Sequence, residues 1–167
     1  MMKTSDGSGP RTSNFLQAAS SSCPGLIEVK EGDELLAIIL RSSYREKGIH
    51  FLTSNDLSQQ LAFMRHPVGK EILPHVHNPV ERRVALTQES LFIRNGRMRV
   101  DFYDDTQKYL RSYELGAGDV ILLIKGGHGF VMLEDTEFIE VKQGPYAGDQ
   151  DKTRFHAVNQ GEIVVVE

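Results

Sequence analysis

The sequence is short of several things, and each shortage removes a class of explanation. It holds one cysteine, Cys23, and so has no internal disulfide framework and no sign of an oxidising compartment. Cys23 sits in a Ser-rich stretch without a base beside it and reads as incidental. There is no tryptophan, and no apolar run approaches the roughly 20 residues that span a bilayer. Met1–Pro10 is polar and lacks the apolar core of a signal peptide, so a cytoplasmic protein without membrane contact is expected. Basic residues are not in excess: the net charge is −4, with both signs scattered along the chain. A nucleic-acid partner is therefore not expected, since phosphate binding draws on clustered Lys and Arg. No amphipathic helical window of useful length is present either.

What the sequence does contain is turns and short apolar runs. With 167 residues, 40% hydrophobic and 25% charged, it suits one globular domain with its own core. Residues 1–24, rich in Ser, Gly and Thr, read as a flexible tail with a short helix at 14–19, and residues 25–167 as a single domain. Strands are predicted at Leu26–Lys30, Glu34–Arg41, Ile49–Thr53, Gln60–Arg65, Ser90–Ile93, Met98–Tyr103, Tyr109–Glu114, Val120–Ile124, Gly129–Leu133, Glu137–Val141 and Ile163–Val166. Between them lie turn residues such as Asn95-Gly96, a strong hairpin signal, Asp104-Asp105 and Gly116-Ala117-Gly118-Asp119. Many short strands punctuated this way indicate an all-β sandwich or barrel.

Three places carry residues fit for chemistry. His75-Val76-His77 puts two imidazoles at i and i+2, which share a face if the segment is a strand. Such a pair suits a transition-metal ion. Glu89 opens a predicted strand on the face of Leu91 and Ile93, where an unpartnered carboxylate is costly. A cation resolves that cost, and so does pairing with Arg82, Arg83 or Arg97 at a wet strand end. His128 follows Gly126-Gly127, whose freedom lets the chain turn sharply and lets a ligand come close. Lys142, Gln143 and Tyr146 follow a core strand and are candidate substrate-binding residues, as is Arg82, alongside Arg83, whose planar donors suit an anion. Arg65 is placed to face a pocket, and His66 reads as a surface residue.

Taken together these residues resemble the cupin superfamily. Its first motif runs Gly, five residues, His-X-His, a short gap, Glu, six residues, Gly; here stand Gly69, His75-Val76-His77, Glu89 and Gly96. Its second runs Gly-Asp, a hydrophobic stretch, a Pro-X-Gly turn and His; here stand Gly118-Asp119, Val120–Ile124 and Gly126-Gly127-His128. The chain departs from the pattern in an eleven-residue gap between His77 and Glu89, in Ile124 for the proline, and in Met132 for a following asparagine. The resemblance covers about residues 60–143. It implies a double-stranded β-helix, or jelly-roll, barrel that pairs as a homodimer. It also implies one divalent transition metal (Fe, Mn, Ni or Zn) held by His75, His77, Glu89 and His128, with Asn78–Gln88 looped over the mouth. Three functions are then open: a metal-dependent isomerase, lyase or oxygenase for a small polar or carbohydrate-like substrate; a non-catalytic ligand-binding or sensing module; and a metal-free, epimerase-like protein. The last needs a histidine and an acid acting as a pair, and no convincing pair outside the four ligands is visible in the sequence.

Overall fold

Two apolar runs that read as strands turn out to be buried on both faces, and the rest of the fold is arranged around them. A computed structural model describes residues 24–167; the predicted tail, the helix at 14–19 and Cys23 lie outside the described residues. Eleven strands follow in order: β1 (Leu26–Glu31), β2 (Glu34–Leu40), β3 (Gly48–Phe51), β4 (Ala62–Arg65), β5 (Glu89–Asn95), β6 (Arg97–Tyr103), β7 (Tyr109–Gly116), β8 (Val120–Leu123), β9 (Gly127–Met132), β10 (Glu137–Lys142) and β11 (Val165–Val166). Single turns of 3₁₀ helix at Gly148–Gln150 and Gln160–Glu162 are the only helical pieces among the described residues.

The strands form a five-stranded sheet in the order β1-β2-β8-β5-β10, a four-stranded sheet in the order β11-β7-β6-β9, and the separate hairpin β3-β4. All pairings are antiparallel except β11 with β7. The main core lies between the two larger sheets. Ala37, Ile39, Leu91, Ile93, Ile121 and Leu123 from the first face Met98, Val100, Phe102, Tyr113 and Leu115 from the second. The alternate residues of β2 and β8, Ile38 and Leu122, point the other way and pack with Ile124 under Leu57 and Leu61. That is why both runs are continuously apolar rather than alternating: each is covered on two sides. The protein is thus all-β, two antiparallel sheets with a third layer over part of one. Among the described residues the sheets do not join into a closed barrel.

Two polar devices hold the ends. Asp119 is buried and accepts from the Ser42 and Gly116 amides at 2.7 and 3.1 Å and from Arg41 Nη1 at 3.0 Å. The Gly-Asp pair before β8 therefore fastens a turn. On the outer face of the four-stranded sheet, Ser112 Oγ donates to Asp101 Oδ1 at 2.5 Å and meets Tyr109 Oη at 2.8 Å. Tyr109 Oη in turn takes the Val164 amide at 2.9 Å and so ties down the C-terminal segment.

Candidate functional site

The site is built where the interior faces of the two sheets become partly exposed, the Glu89 side chain at 14% and that of His128 at 28%. In the five-stranded sheet, Ala37, Leu123, Glu89 and Lys142 form one cross-strand row on β2, β8, β5 and β10. The row runs from buried apolar to polar. Opposite it, His128 on β9 pairs in register with the core residue Phe102 on β6 and packs its ring 5.3 Å from that of Phe130. The glycines before it explain its position. Gly126 has φ +76°, and a Cβ there would stand 2.8 Å from the Tyr103 carbonyl oxygen; at Gly127 it would stand 2.9 Å from the Phe155 ring. Only residues without side chains let β9 start so close to β6.

Glu89 and His128 meet across this gap: His128 Nε2 lies 3.2 Å from Glu89 Oε2. The ammonium of Lys142 lies 3.5 Å from Glu89 Oε1 and 3.1 Å from Glu140. It also stands 5.8 Å above the Tyr146 ring, within cation–π range. The Glu89 carboxyl is held below its ordinary 4.5, first by the hydrogen bond from His128, with the Lys142 charge adding to it and burial opposing it. Lys142 is held above 10.5, chiefly by Glu140. Both groups are therefore charged near neutrality. Glu89 pairs with these two residues and not with the arginines considered from sequence.

Gln143 is near but otherwise employed. Its Oε1 accepts the Gln88 amide at 2.6 Å, and its Nε2 donates to Gln59 Oε1 at 3.4 Å. Gln59 Nε2 donates to Ser90 Oγ at 2.7 Å, and the buried Gln88 side chain accepts from the Gln59 amide at 3.0 Å. This glutamine cluster fixes the first residues of β5 and so aims Glu89. Sequence reasoning missed Gln59 and Gln88, because single glutamines carry no spacing signal.

The other expected residues lie elsewhere. His75 and His77 belong to residues 66–88, which form no strand and are exposed almost throughout. Pro67, Pro74 and Pro79 deny it ladder donors, and no neighbouring edge pairs with it. The two imidazoles still stand together, 5.2 Å between ring centroids. His75 Nδ1 donates to the Leu73 carbonyl at 3.0 Å, which in the neutral ring leaves the lone pair on Nε2. Among the described residues Arg82 bonds only the nearby Val80 carbonyl, at 3.3 Å, and is exposed, as is Arg83. Arg65 donates to the Arg45 carbonyl at 2.7 Å. His66, read as a surface residue, is half-buried, and its Nε2 is enclosed with no hydrogen-bond partner among the described residues.

The four residues that the resemblance offers as metal ligands thus stand as two pairs, Glu89 with His128 and His75 with His77. Among the described residues no three His, Cys, Asp or Glu side chains are grouped to hold an ion. A single pair supplies too few donors for a closed transition-metal site, so the arrangement as it stands does not fit a bound metal. No family model matches the chain, and neither does any curated protein or solved structure.

Proposed function

We propose that this chain is a cupin-like protein that binds a small polar, carbohydrate-like or anionic molecule at the mouth between its sheets and moves a proton on it. The observation that carries this reading is the meeting of Glu89 and His128, from opposite sheets, at 3.2 Å, with the Lys142 ammonium alongside. A carboxylate kept ionised is a weak base, so Glu89 orients and stabilises the imidazole instead of taking the proton itself. With Nε2 donating to Glu89, the neutral ring carries its lone pair on Nδ1, the atom that accepts the substrate proton. The resulting imidazolium is stabilised by the adjacent carboxylate. Lys142 supplies a fixed positive charge for a phosphate, a carboxylate or a developing oxyanion. Isomerisation or elimination next to a carbonyl fits these parts.

The test is a titration of sugar phosphates and hydroxy-keto acids against wild type, His128→Ala and Lys142→Met, with solvent deuterium uptake as the readout of proton transfer. Exchange at a carbon-bound hydrogen is expected in wild type and is lost in His128→Ala, while Lys142→Met weakens binding of anionic ligands at least about tenfold. Binding and exchange indifferent to both variants would overturn the proposal.

A second reading keeps the metal. Its support is the paired imidazoles of His75 and His77, with His75 Nε2 left as a donor. A segment that brought them to Glu89 and His128 would complete a three-histidine, one-carboxylate set. Near-equimolar transition metal in the purified protein, lost on His75→Ala, supports this reading; metal-free protein that retains exchange supports the first.

A further inference from the structure

His128 stands on the edge of its sheet: in the order β11-β7-β6-β9, β9 pairs only with β6 among the described residues. The strand is entered through Gly126-Gly127. Two glycines bring the chain close to β6 but give it no side chains to grip with. Yet His128 Nε2 must stay within reach of Glu89, a residue of the other sheet, at 3.2 Å. Something beyond backbone pairing has to steady this end of β9.

Residues 143–158, which follow β10, run as a strap from one sheet to the other. At the first end Gln143 Oε1 accepts the Gln88 amide at 2.6 Å, and Thr87 Oγ1 donates to Asp151 Oδ1 at 3.4 Å, both just before Glu89. At the second end the Phe155 ring stands edge-on to the buried Tyr103 ring, 5.0 Å between centroids at 82°. Tyr103 Oη accepts the Val158 amide at 3.0 Å. Tyr103 is the register partner of Gly127, as Phe102 is of His128. Successive residues of a strand face opposite ways, so Phe155 and Tyr103 cover the back of β9 at Gly127 while His128 points inward one residue on. The tip of the Phe155 ring, Cζ, lies 2.9 Å from where a Gly127 Cβ would stand. Phe155 thus fills the place on the strand's back that a side chain of Gly127 would take.

We propose that Phe155 is a positioning residue for His128: it braces the back of β9 at Gly127 and so holds the imidazole within reach of Glu89. This role rests on the proton-transfer reading of the Glu89–His128 pair and adds to it a residue on the opposite face of the strand. One strap then steadies both members of the pair, Glu89 through Gln143 and His128 through Phe155. The margin is small. At 3.2 Å the contact is at the long end of the N–H···O range, so a shift of about 1 Å breaks it. A misplacement of that size costs about 100-fold in rate.

The test is heteronuclear magnetic resonance of the His128 ring nitrogens in the full chain, at about pH 9, where an imidazole of ordinary pKa is neutral. Solvent deuterium exchange into the sugar phosphates and hydroxy-keto acids is followed in parallel. Wild type is expected to show one fixed tautomer with the hydrogen on Nε2. Phe155→Leu keeps an apolar side chain but not the ring tip. Its His128 signature averages towards a mixture of tautomers, and kcat for exchange falls about 100-fold, with KM little changed. Phe155→Met, long enough to reach Gly127, keeps the wild-type signature and rate. A fixed tautomer in Phe155→Leu overturns the proposal, and so does a Phe155→Met variant that behaves like Phe155→Leu. Loss of the β signal in circular dichroism in Phe155→Leu also overturns it, because Phe155 would then hold the fold and not the imidazole. A wild-type chain that exchanges no deuterium sinks the proton-transfer reading alone; the ring signature still decides the role of Phe155.

Discussion

Two carboxylates, the buried Asp119 and the partly buried Glu89, should respond very differently to removal. Asp119 is a structural acid: it accepts two backbone amides and an arginine at 2.7–3.1 Å, and its side chain is 8% exposed. In Asp119→Ala the Ser42 and Gly116 amides lose their acceptor and Arg41 keeps only the Glu114 carbonyl. At about 1 kcal/mol for each abandoned donor the loss is about 3 kcal/mol. For a chain of this size that is a fall in melting temperature of about 6–12 °C. Glu89 has only two side-chain partners at an open edge, and its amide replacement still accepts a hydrogen bond. Glu89→Gln should therefore cost about 1 kcal/mol or less. Urea unfolding followed by circular dichroism, at one protein concentration, measures both. Equal losses would refute the reasoning, because Glu89 would then be a structural acid like Asp119 and not one kept for a ligand.

Other expectations follow from the same contacts. Because Glu89 is depressed below 4.5, its contribution to stability is fully present above that pH and is lost as pH falls through its folded value; the gap in urea midpoint between wild type and Glu89→Gln should close on acidification. Gly96→Ala should destabilise by about 2 kcal/mol or more, since its φ is +78° and the new Cβ would run into the Asp135 carbonyl; thermal unfolding shows it. Tyr109→Phe should speed amide exchange at Val164, whose N–H loses its acceptor, while the Ser112 amide and the β7 pairing still hold the segment and the core is unchanged.

The strands were legible because each pairs a β-rich run with turn chemistry at its ends. All eleven predicted runs overlap observed strands, and Val120–Ile124 and Glu34–Arg41 differ from theirs by one terminal residue. Their unbroken hydrophobicity hid one fact, the third layer under Leu57 and Leu61, since a short apolar run does not say which faces are covered. Within the site, Glu89, His128, Lys142 and Tyr146 were chosen from sequence, and the structure gathers them. Glu89, His128 and Lys142 lie on strands whose positions fix both face and end, so sequence spacing is informative there, whereas Tyr146 lies in the loop after β10. His75 and His77 are different: an i, i+2 spacing aims two side chains together only within a paired strand, and proline-rich residues 66–88 form none.

Glu89 and His128, brought from two sheets to 3.2 Å, should titrate as one electrostatic unit. Nuclear magnetic resonance titration of the Glu89 side-chain carboxyl carbon, in wild type and in His128→Ala, tests it most directly. The midpoint is expected below 4.5 in wild type and moves up when His128 is removed. A wild-type midpoint at or above 4.5, unmoved by His128→Ala, would contradict it.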